Sequence, residues 1–411
     1  MRFFNFETGS RSIIAISFAD LVRTLGRSSA VLMLPIYLLE VRHVSFIVIG
    51  SVLAVASIVA SPLSLAGGGI ADRIGRRPLF TLLPLLSCLL FSSISAEIFL
   101  NVPVIFLFLT LIMTWPVSSL QGTVDSAVIS DVTLPQQRTH AFSLMRLAAN
   151  LGFSLGPALG GIVSTVNFGY AFIIPAAANI VEEFVYLIYV KESMPLQTPQ
   201  RRREGRRIRL PVDDRVFLLI ALVLAFCEFC IGQWGNTLTL FLSHSYGYST
   251  ASIGLVYSLN GVIVVLLQLP VNSALSRFSD TVRLMLGMVL YSVTFLVFGL
   301  TDIFGLLLVN VVFLTIGENT FSPTSTSFVS RIAPADRRGE YFGAYNAMVL
   351  FTSPASSFLG AALLKWFSGT PEIMWGIVSA LCAMAVLLLR LSGRKVAASG
   401  REYERQTVEA G

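Results

Sequence analysis

The stretch Gly68-Gly69-Ile70-Ala71-Asp72-Arg73-Ile74-Gly75-Arg76-Arg77 stands between two apolar runs, each long enough to cross a membrane. Its carboxylate and three guanidiniums are too polar for hydrocarbon, so the stretch must lie at the membrane interface. Its glycines permit a close approach of helices and a sharp reversal of the chain. The sequence therefore predicts a tight interfacial turn, and the arginines place that turn on the cytoplasmic side.

Composition indicates that the whole chain is a membrane protein. Hydrophobic residues make up 55% of the 411 residues, charged residues make up 13%, and the mean hydropathy is +0.76. Soluble domains contain about a quarter charged residues, so this chain is polytopic in a membrane. The net charge of +6 is attributed to arginine-rich cytoplasmic loops and not to nucleic-acid binding.

Apolar runs near the spanning length of about 20 residues divide the chain into twelve predicted helices. They are α1 12–38, α2 45–66, α3 78–97, α4 103–130, α5 140–164, α6 168–190, α7 216–242, α8 250–271, α9 283–301, α10 304–330, α11 340–366 and α12 373–391. When alternate loops are compared, most Lys and Arg residues fall on the side of the N-terminus. This asymmetry predicts that both termini are cytoplasmic.

One long polar interruption divides the predicted helices into two groups. Residues 191–215 are interpreted as a cytoplasmic basic linker that lies against anionic lipid. The expected domains are an N-terminal six-helix bundle at 1–190 and a C-terminal six-helix bundle at 216–391. A cytoplasmic tail is expected at 392–411.

The opening stretch resembles the signature loop between helices two and three of the major facilitator superfamily, whose pattern is G-x-x-x-D-R-x-G-R-R. A weak internal repeat agrees with this resemblance, because Ser45-x-x-x-Ile49-Gly50 recurs as Ser249-x-x-x-Ile253-Gly254. The resemblance extends over residues 12–391. It implies an all-α polytopic membrane protein with 12 transmembrane helices in two pseudo-symmetric six-helix bundles, the major facilitator fold.

A second motif lies in α5, where Gly152, Gly156, Pro157, Gly160 and Gly161 fit the pattern G-x-x-x-G-P-x-x-G-G. Glycines at this spacing let a neighbouring helix approach closely, and the proline bends the helix. Within the superfamily this pattern is associated with antiporters, so the resemblance implies the 12-helix drug:proton antiporter group. The alternative is a packing motif without influence on the direction of transport.

The end of α4 carries Asp131, where family members have an acid that pairs with the signature-loop arginines. By resemblance we expect a conformational latch on the cytoplasmic side, formed by Gly68, Asp72, Arg73, Gly75, Arg76, Arg77 and Asp131. Charge-assisted bonds of this kind stabilise one conformation and must break in the other. The alternative is a solvated ion pair worth less than about 1 kcal/mol.

Helix α4 departs from the R-x-x-Q-G pattern of many drug antiporters. Gln121 and Gly122 are present, but Ser118 stands at the arginine position, so that arginine's part in proton transfer is not expected here. Thr114, Ser118, Gln121 and Asp125 recur at three- and four-residue steps. They predict one polar stripe on a helix that, by resemblance, lines the central cavity.

Ionisable residues inside predicted helices are functional candidates, because a charge within the bilayer is costly. Helices α1, α4, α7 and α10 surround the cavity in the superfamily, and each carries a proton-coupling candidate: Asp20, Asp125, Glu228 and Glu318. The substrate-cavity candidates are polar residues of α1, α4, α5, α7 and α10: Arg23, Arg27, Ser118, Gln121, Arg146, Asn150, Gln233, Asn236 and Ser322.

Elimination selects Glu318 as the principal proton-coupling carboxylate, with Asp125 as its partner across the cavity. Asp20 has an arginine three residues later on the same face, which is as consistent with self-neutralisation as with coupling. Glu182 and Glu183 are set aside because α6 is peripheral in this fold. Glu318 has no basic neighbour within a turn, and a carboxyl group in a low-dielectric cavity can load and release a proton.

The favoured function is secondary active transport by alternating access, as proton-coupled efflux of small hydrophobic or amphipathic compounds of the multidrug type. An aromatic content of 11% suits apolar cavity walls that accept loosely specific ligands. One alternative is a proton symporter or facilitator for a sugar or other small metabolite. Another is a non-transporting membrane sensor or enzyme, although no catalytic triad, phosphate-binding loop or metal cluster is found in the sequence.

The expected partners are a small-molecule substrate, protons and the lipid bilayer. No nucleic acid, cofactor or metal is expected, and the chain is expected to be monomeric. The resemblance places it in the cell (plasma) membrane as a multi-pass protein, with the first apolar run retained as a helix because no cleavage pattern precedes it.

Overall fold

The structure, a computed structural model, describes the backbone of residues 10–133, 138–189, 211, 214–334 and 337–409. Side chains are described for these residues except at positions 10–11, 64–69, 71–73, 132, 139–140, 338–339 and 394–409. Most of the predicted linker at 191–215 therefore lies outside the described residues.

Twelve helices of the described part are long and apolar enough to cross a membrane. They are α1 Ser10–Val31, extended by Leu34–Ile36 and a π-helical turn at Tyr37–Val41; α2 Phe46–Ile74; α3 Arg76–Phe99; α4 Val104–Val132; α5 Arg138–Ser164; α6 Phe168–Tyr189; α7 Arg215–Ile231, extended by a 3₁₀ turn at Gly232–Trp234 and by Asn236–His244; α8 Thr250–Ala274; α9 Asp280–Leu300; α10 Phe304–Ile332; α11 Arg338–Leu350 with Thr352–Phe367; and α12 Pro371–Glu409. Each predicted run coincides with one of these spans, so the predicted all-α polytopic class is confirmed.

The predicted tight turn over residues 68–77 is wrong in its extent. Helix α2 continues to Ile74 and α3 begins at Arg76, so Gly75 alone interrupts the two helices. Gly75 has φ +97°. Glycine adopts this conformation at little energetic cost because it has no Cβ. The alanine, isoleucine and arginine before it are compatible with a helix, which therefore extends until that glycine.

Helix α12 also runs past its predicted end at residue 391, to Glu409. The prediction followed the apolar length, which measures the hydrocarbon layer and not the helix. The polar sequence that follows is rich in Arg, Ala and Glu, which are good helix formers. The expected C-terminal tail is therefore helical over most of its length.

Of the three interrupted spans in the described part, α1 and α7 break where the sequence removes a backbone hydrogen bond or a side chain. In α1, Pro35 has no N–H to offer the preceding turn, and the α-helix ends at Val31. In α7, the 3₁₀ turn begins at Gly232, where a Cβ would press on the side chain of Ser356 in α11. Pro35 and Gly232 therefore mark the interruptions of α1 and α7.

The helices form two compact units. The first comprises Met1–Gly205 with Leu238–Val265, and the second comprises Arg206–Thr237 with Leu266–Gly411. Residues 238–265, which the sequence-based division assigns to the C-terminal bundle, thus group with the first unit. The two predicted six-helix bundles stay a prediction.

Each unit has its own apolar core. In the first, Ile16 of α1, Phe80 of α3 and Val124 of α4 belong to one buried cluster. In the second, Phe295 of α9 stacks on the fully buried Trp375 of α12, with ring centroids 5.5 Å apart.

Candidate functional site

One guanidinium in the first unit binds three carboxylates. Arg23 of α1 donates to Asp20 Oδ1 at 2.5 Å, to Asp125 Oδ2 of α4 at 2.5 Å and to Glu182 Oε1 of α6 at 2.8 Å. Asp20 is 7% exposed, Asp125 1% and Glu182 0%. These four residues are called the Arg23 cluster below.

The cluster is assembled from one local pair and two distant acids. Asp20 and Arg23 are one turn apart on α1, which places them on the same face. Tyr186, one turn after Glu182, donates its hydroxyl to Asp125 Oδ1 at 2.7 Å and so ties α6 to α4. Because one base faces three acids, the cluster has an excess of acidic groups.

Neutral polar side chains hold the cluster in place. Gln121 Nε2 donates to Asn179 Oδ1 at 3.1 Å and to Glu182 Oε2 at 3.4 Å. The hydroxyl of Ser87 donates to Gln121 Oε1 at 2.9 Å, and all of these side chains are buried. Gln121, predicted to line the substrate cavity, instead positions Glu182.

The structure corrects the prediction that the acids of α6 stand apart from the functional residues. Glu182 is fully buried and bonded to Arg23. A signal was available in the sequence, because Asn179, Glu182 and Tyr186 recur at three- and four-residue steps within an apolar run. Which way that face turns depends on how α6 packs against α1 and α4, and that packing is a tertiary property.

A cavity of about 360 Å³ lies beside the Arg23 cluster. Helices α1, α4 and α5 supply its lining: Asp20, Arg23, Thr24, Arg27, Ser28, Val31, Leu32, Ser118, Gly122 and Phe153. Small-molecule sites occupy about 300–1,000 Å³, so a compact ligand fits. Three predicted cavity residues, Arg23, Arg27 and Ser118, belong to this lining.

The polar stripe predicted for α4 faces the interior of the first unit. Thr114, Ser118, Gln121 and Asp125 are all buried. The predicted cavity residues of α5 lie elsewhere: Arg146 is exposed and Asn150 is half-buried, outside the lining of this cavity.

The second unit holds a pair of carboxylates. Glu228 of α7 and Glu318 of α10 are both half-buried and lie close enough for their charges to interact. The charges of both carboxylates also interact with the fully buried Tyr291 of α9. Since Asp125 belongs to the first unit and Glu318 to the second, their pairing across a cavity stays a prediction.

The remaining polar candidates of α7 bond to α11. Gln233 is fully buried, donates to Ser356 Oγ at 2.9 Å and accepts from Thr237 Oγ1 at 2.8 Å. Asn236 Nδ2 donates to Ser357 Oγ at 3.3 Å. These amides, predicted as cavity residues, form helix-to-helix bonds. Ser322 of α10 is half-buried, and its carbonyl accepts from Ser325 at 3.0 Å.

The glycine motif of α5 faces two helices. A Cβ at Gly152, Gly156 or Gly160 would collide with backbone atoms of α1. On the other side, Thr250 Oγ1 of α8 donates to the carbonyl of Gly161 at 2.8 Å. A Cβ at Gly254 of α8 would collide with the carbonyl of Pro157. The motif therefore permits two close crossings within the first unit.

The signature stretch is joined to the end of α4. Arg76, which is 7% exposed, donates from Nε to Asp131 Oδ2 at 3.1 Å. Arg77 is exposed, and the side chains of Asp72 and Arg73, like the surroundings of Gly68, lie outside the described part. The bond between Arg76 and Asp131 supports the expected pairing, and the role of these residues as a latch stays a prediction.

Comparison with known proteins identifies the family of this arrangement. The family described as Major Facilitator Superfamily matches residues 16–241 and 230–409. The chain is 27% identical over 396 residues to the uncharacterized MFS-type transporter YqjV of Bacillus subtilis (strain 168), covering 94% of this chain and 95% of the relative.

A second relative has an assigned resistance function. The chain is 24% identical over 325 residues to multidrug resistance protein 1 of the same organism, covering 77% of this chain and 79% of the relative. Among solved structures, a POT family transporter in complex with a thioalcohol-conjugated peptide superimposes with a TM-score of 0.77 at 16% identity. That superposition covers 96% of this chain and 98% of the other, and such low identity indicates a shared fold alone.

Proposed function

This chain belongs to the Major Facilitator Superfamily, and from that premise we propose that it exports small hydrophobic or amphipathic compounds in exchange for protons. It is a multi-pass membrane transporter. In the proposal it resides in the plasma membrane with both termini cytoplasmic and works by alternating access. The similarity to a multidrug resistance protein and the α5 glycine motif support the export direction.

One observation carries the proton coupling. Asp20 and Arg23 belong both to the acid-rich Arg23 cluster and to the lining of the cavity. A proton that enters or leaves the cluster therefore changes the charge that a bound compound meets. A ligand and a proton that influence the same residues are thermodynamically linked, which exchange requires.

The pair in the second unit is proposed as the other proton site. Two carboxylates that repel one another hold a proton between them more readily than they ionise together. Glu318 stays the proposed principal coupling carboxylate, with Glu228 as the neighbour that shares its proton. Asp125 and Asp20 serve the Arg23 cluster in this proposal.

The test uses purified full-length protein in liposomes with a trapped pH dye and tetracycline as the transported probe. Glu182→Gln and Glu318→Gln each remove one titratable group and retain the side-chain shape. We expect both variants to lose gradient-driven transport and proton release but still to bind tetracycline, because neither Glu182 nor Glu318 is among the residues that line the cavity. The exposed Glu372→Gln in α12 is the matched control and should transport normally.

The results of this experiment distinguish proton-coupled export from the alternative functions. Uphill transport with unchanged pH dependence in both variants would refute proton coupling through these acids. Accumulation along an inward proton gradient by the unmodified protein, in place of expulsion, would favour a symporter for a sugar or other small metabolite.

A further inference from the structure

Arg27 lies in the cavity but takes no part in the Arg23 cluster. It is four residues after Arg23 on α1, so both guanidiniums lie on one helix face. Arg23 is bonded to three carboxylates, whereas the charged group that acts on Arg27 among the described residues is Arg23 itself. Arg27 therefore has a like charge as its neighbour.

This arrangement leaves a positive group facing the cavity. The one acid of the lining, Asp20, already accepts a bond from Arg23. Arg27 is half-buried, and its guanidinium carbon lies 5.9 Å from the centre of the Trp115 ring. A guanidinium has five N–H donors in a planar fork that matches a carboxylate, and a cation–π contact uses none of them.

The rest of the lining combines hydroxyl groups with apolar surface. Ser118 can donate a hydrogen bond to an oxygen of a ligand, whereas the hydroxyl of Ser28 donates to the carbonyl of Leu25 at 3.3 Å. Val31, Leu32 and Phe153 form an apolar wall that suits a hydrocarbon or aromatic body. A ligand that satisfies all of these groups has an acidic head and an apolar body.

We propose that this cavity selects amphipathic monoanions, such as carboxylates or sulfonates, and that Arg27 binds the anionic group. The inference rests on the proposed function, because it names the class of compound that the exporter carries. It predicts a selectivity opposite to that of an exporter of cationic dyes, since Arg27, whose charge no carboxylate of the lining compensates, repels a cationic head.

Binding is measured with dansyl-labelled undecanoic acid and its primary amide, which share size and apolar chain and differ in charge. Full-length protein in lipid nanodiscs is titrated with each probe, and empty nanodiscs correct for partition into lipid. We expect the acid to bind the unmodified protein about tenfold or more tightly than the amide, because hydrogen bonds to a charged group are the stronger kind. Arg27→Gln should weaken the acid by a similar factor and leave the amide unchanged.

Two further variants keep the test interpretable. Arg27→Lys retains the charge but loses the fork, so it should preserve part of the preference for the acid. Arg390→Gln removes an exposed guanidinium of α12 and should change neither affinity. Binding of the amide by Arg27→Gln shows that this variant is folded. If Arg27→Gln does not bind the amide, the affinity of Arg27→Lys for the acid decides whether Arg27 binds the anionic group.

Failure of this inference differs from failure of the proposed function. If the amide binds as tightly as the acid, or if neither change at Arg27 affects the acid, the anion site is refuted, although proton-driven export of tetracycline can still be observed. If the acid binds through Arg27 while no proton-driven transport occurs, the proposed function fails and the anion site stands.

Discussion

Arg23 donates hydrogen bonds to acids on three helices, and this one side chain organises the electrostatics of the first unit. The desolvation of Asp125 and Glu182 is offset only while the guanidinium and the tyrosine remain bonded to them. A change at Arg23 therefore has a larger structural effect than a change at an exposed arginine.

We expect Arg23→Gln to destabilise the protein by about 3–5 kcal/mol, the usual cost of removing one partner from buried ion pairs. The apparent Tm of the purified protein in detergent should fall accordingly. Arg390→Gln should leave the Tm unchanged, and adding Asp125→Asn and Glu182→Gln to Arg23→Gln should restore much of the loss. Equal melting temperatures for Arg23→Gln and Arg390→Gln would contradict the structural role.

At the scale of elements, the sequence of α5 determines how closely its neighbouring helices can pack. Its glycines allow α1 and α8 to approach closely on different faces. In α4 and α6 the spacing of polar residues matters in a similar way, because Gln121 and Asp125 of α4 are buried and bond to Asn179, Glu182 and Tyr186 of α6. Both features are periodic in the sequence and are used in packing.

Gly156→Leu should abolish exchange without preventing membrane insertion. The new side chain would meet the carbonyl of Leu25 and the hydroxyl of Ser28, so α1 and α5 would have to separate. Overpacking of this kind costs about 1–3 kcal/mol. Transport of tetracycline in liposomes is the measurement, and Gly376→Leu, at a glycine with open space around it, is the matched control. Normal exchange by Gly156→Leu would reduce the α5 motif to ordinary packing.

At the scale of the whole molecule, the distribution of charge fixes the expected orientation. Lys and Arg residues are concentrated in alternate loops, which predicts cytoplasmic termini. The four native cysteines are free, and three of them are buried. Because none forms a disulfide, all four can be replaced, and single cysteines introduced into that cysteine-free background can report the topology.

Cysteines introduced at Ser243 and at Arg202 should react with an impermeant maleimide from opposite sides of the membrane. Ser243 lies in the last turn of α7 and should react in intact cells, whereas Arg202, in the predicted linker, should react only after permeabilisation. Labelling of both positions from the same side would refute the orientation.

The sequence by itself determined the class of protein, the twelve spans and the family. Apolar length, charged loops and the motifs of the signature stretch and α5 are local patterns, and each reports directly on the bilayer or on helix contact. It also identified Asp20 and Arg23 as members of one face of α1, because helical spacing is a local property.

Only the tertiary structure decided which helices meet. Spacing predicted the polar face of α4, but nothing local reveals that Arg23 binds Asp125 and Glu182, which are 102 and 159 positions away in the chain. The same holds for Gln233, whose amide donates to Ser356 of α11. Helix periodicity specifies which residues share a face, whereas the partner of that face depends on how the helices pack. Because of that packing, Arg27 lies in the lining of the cavity.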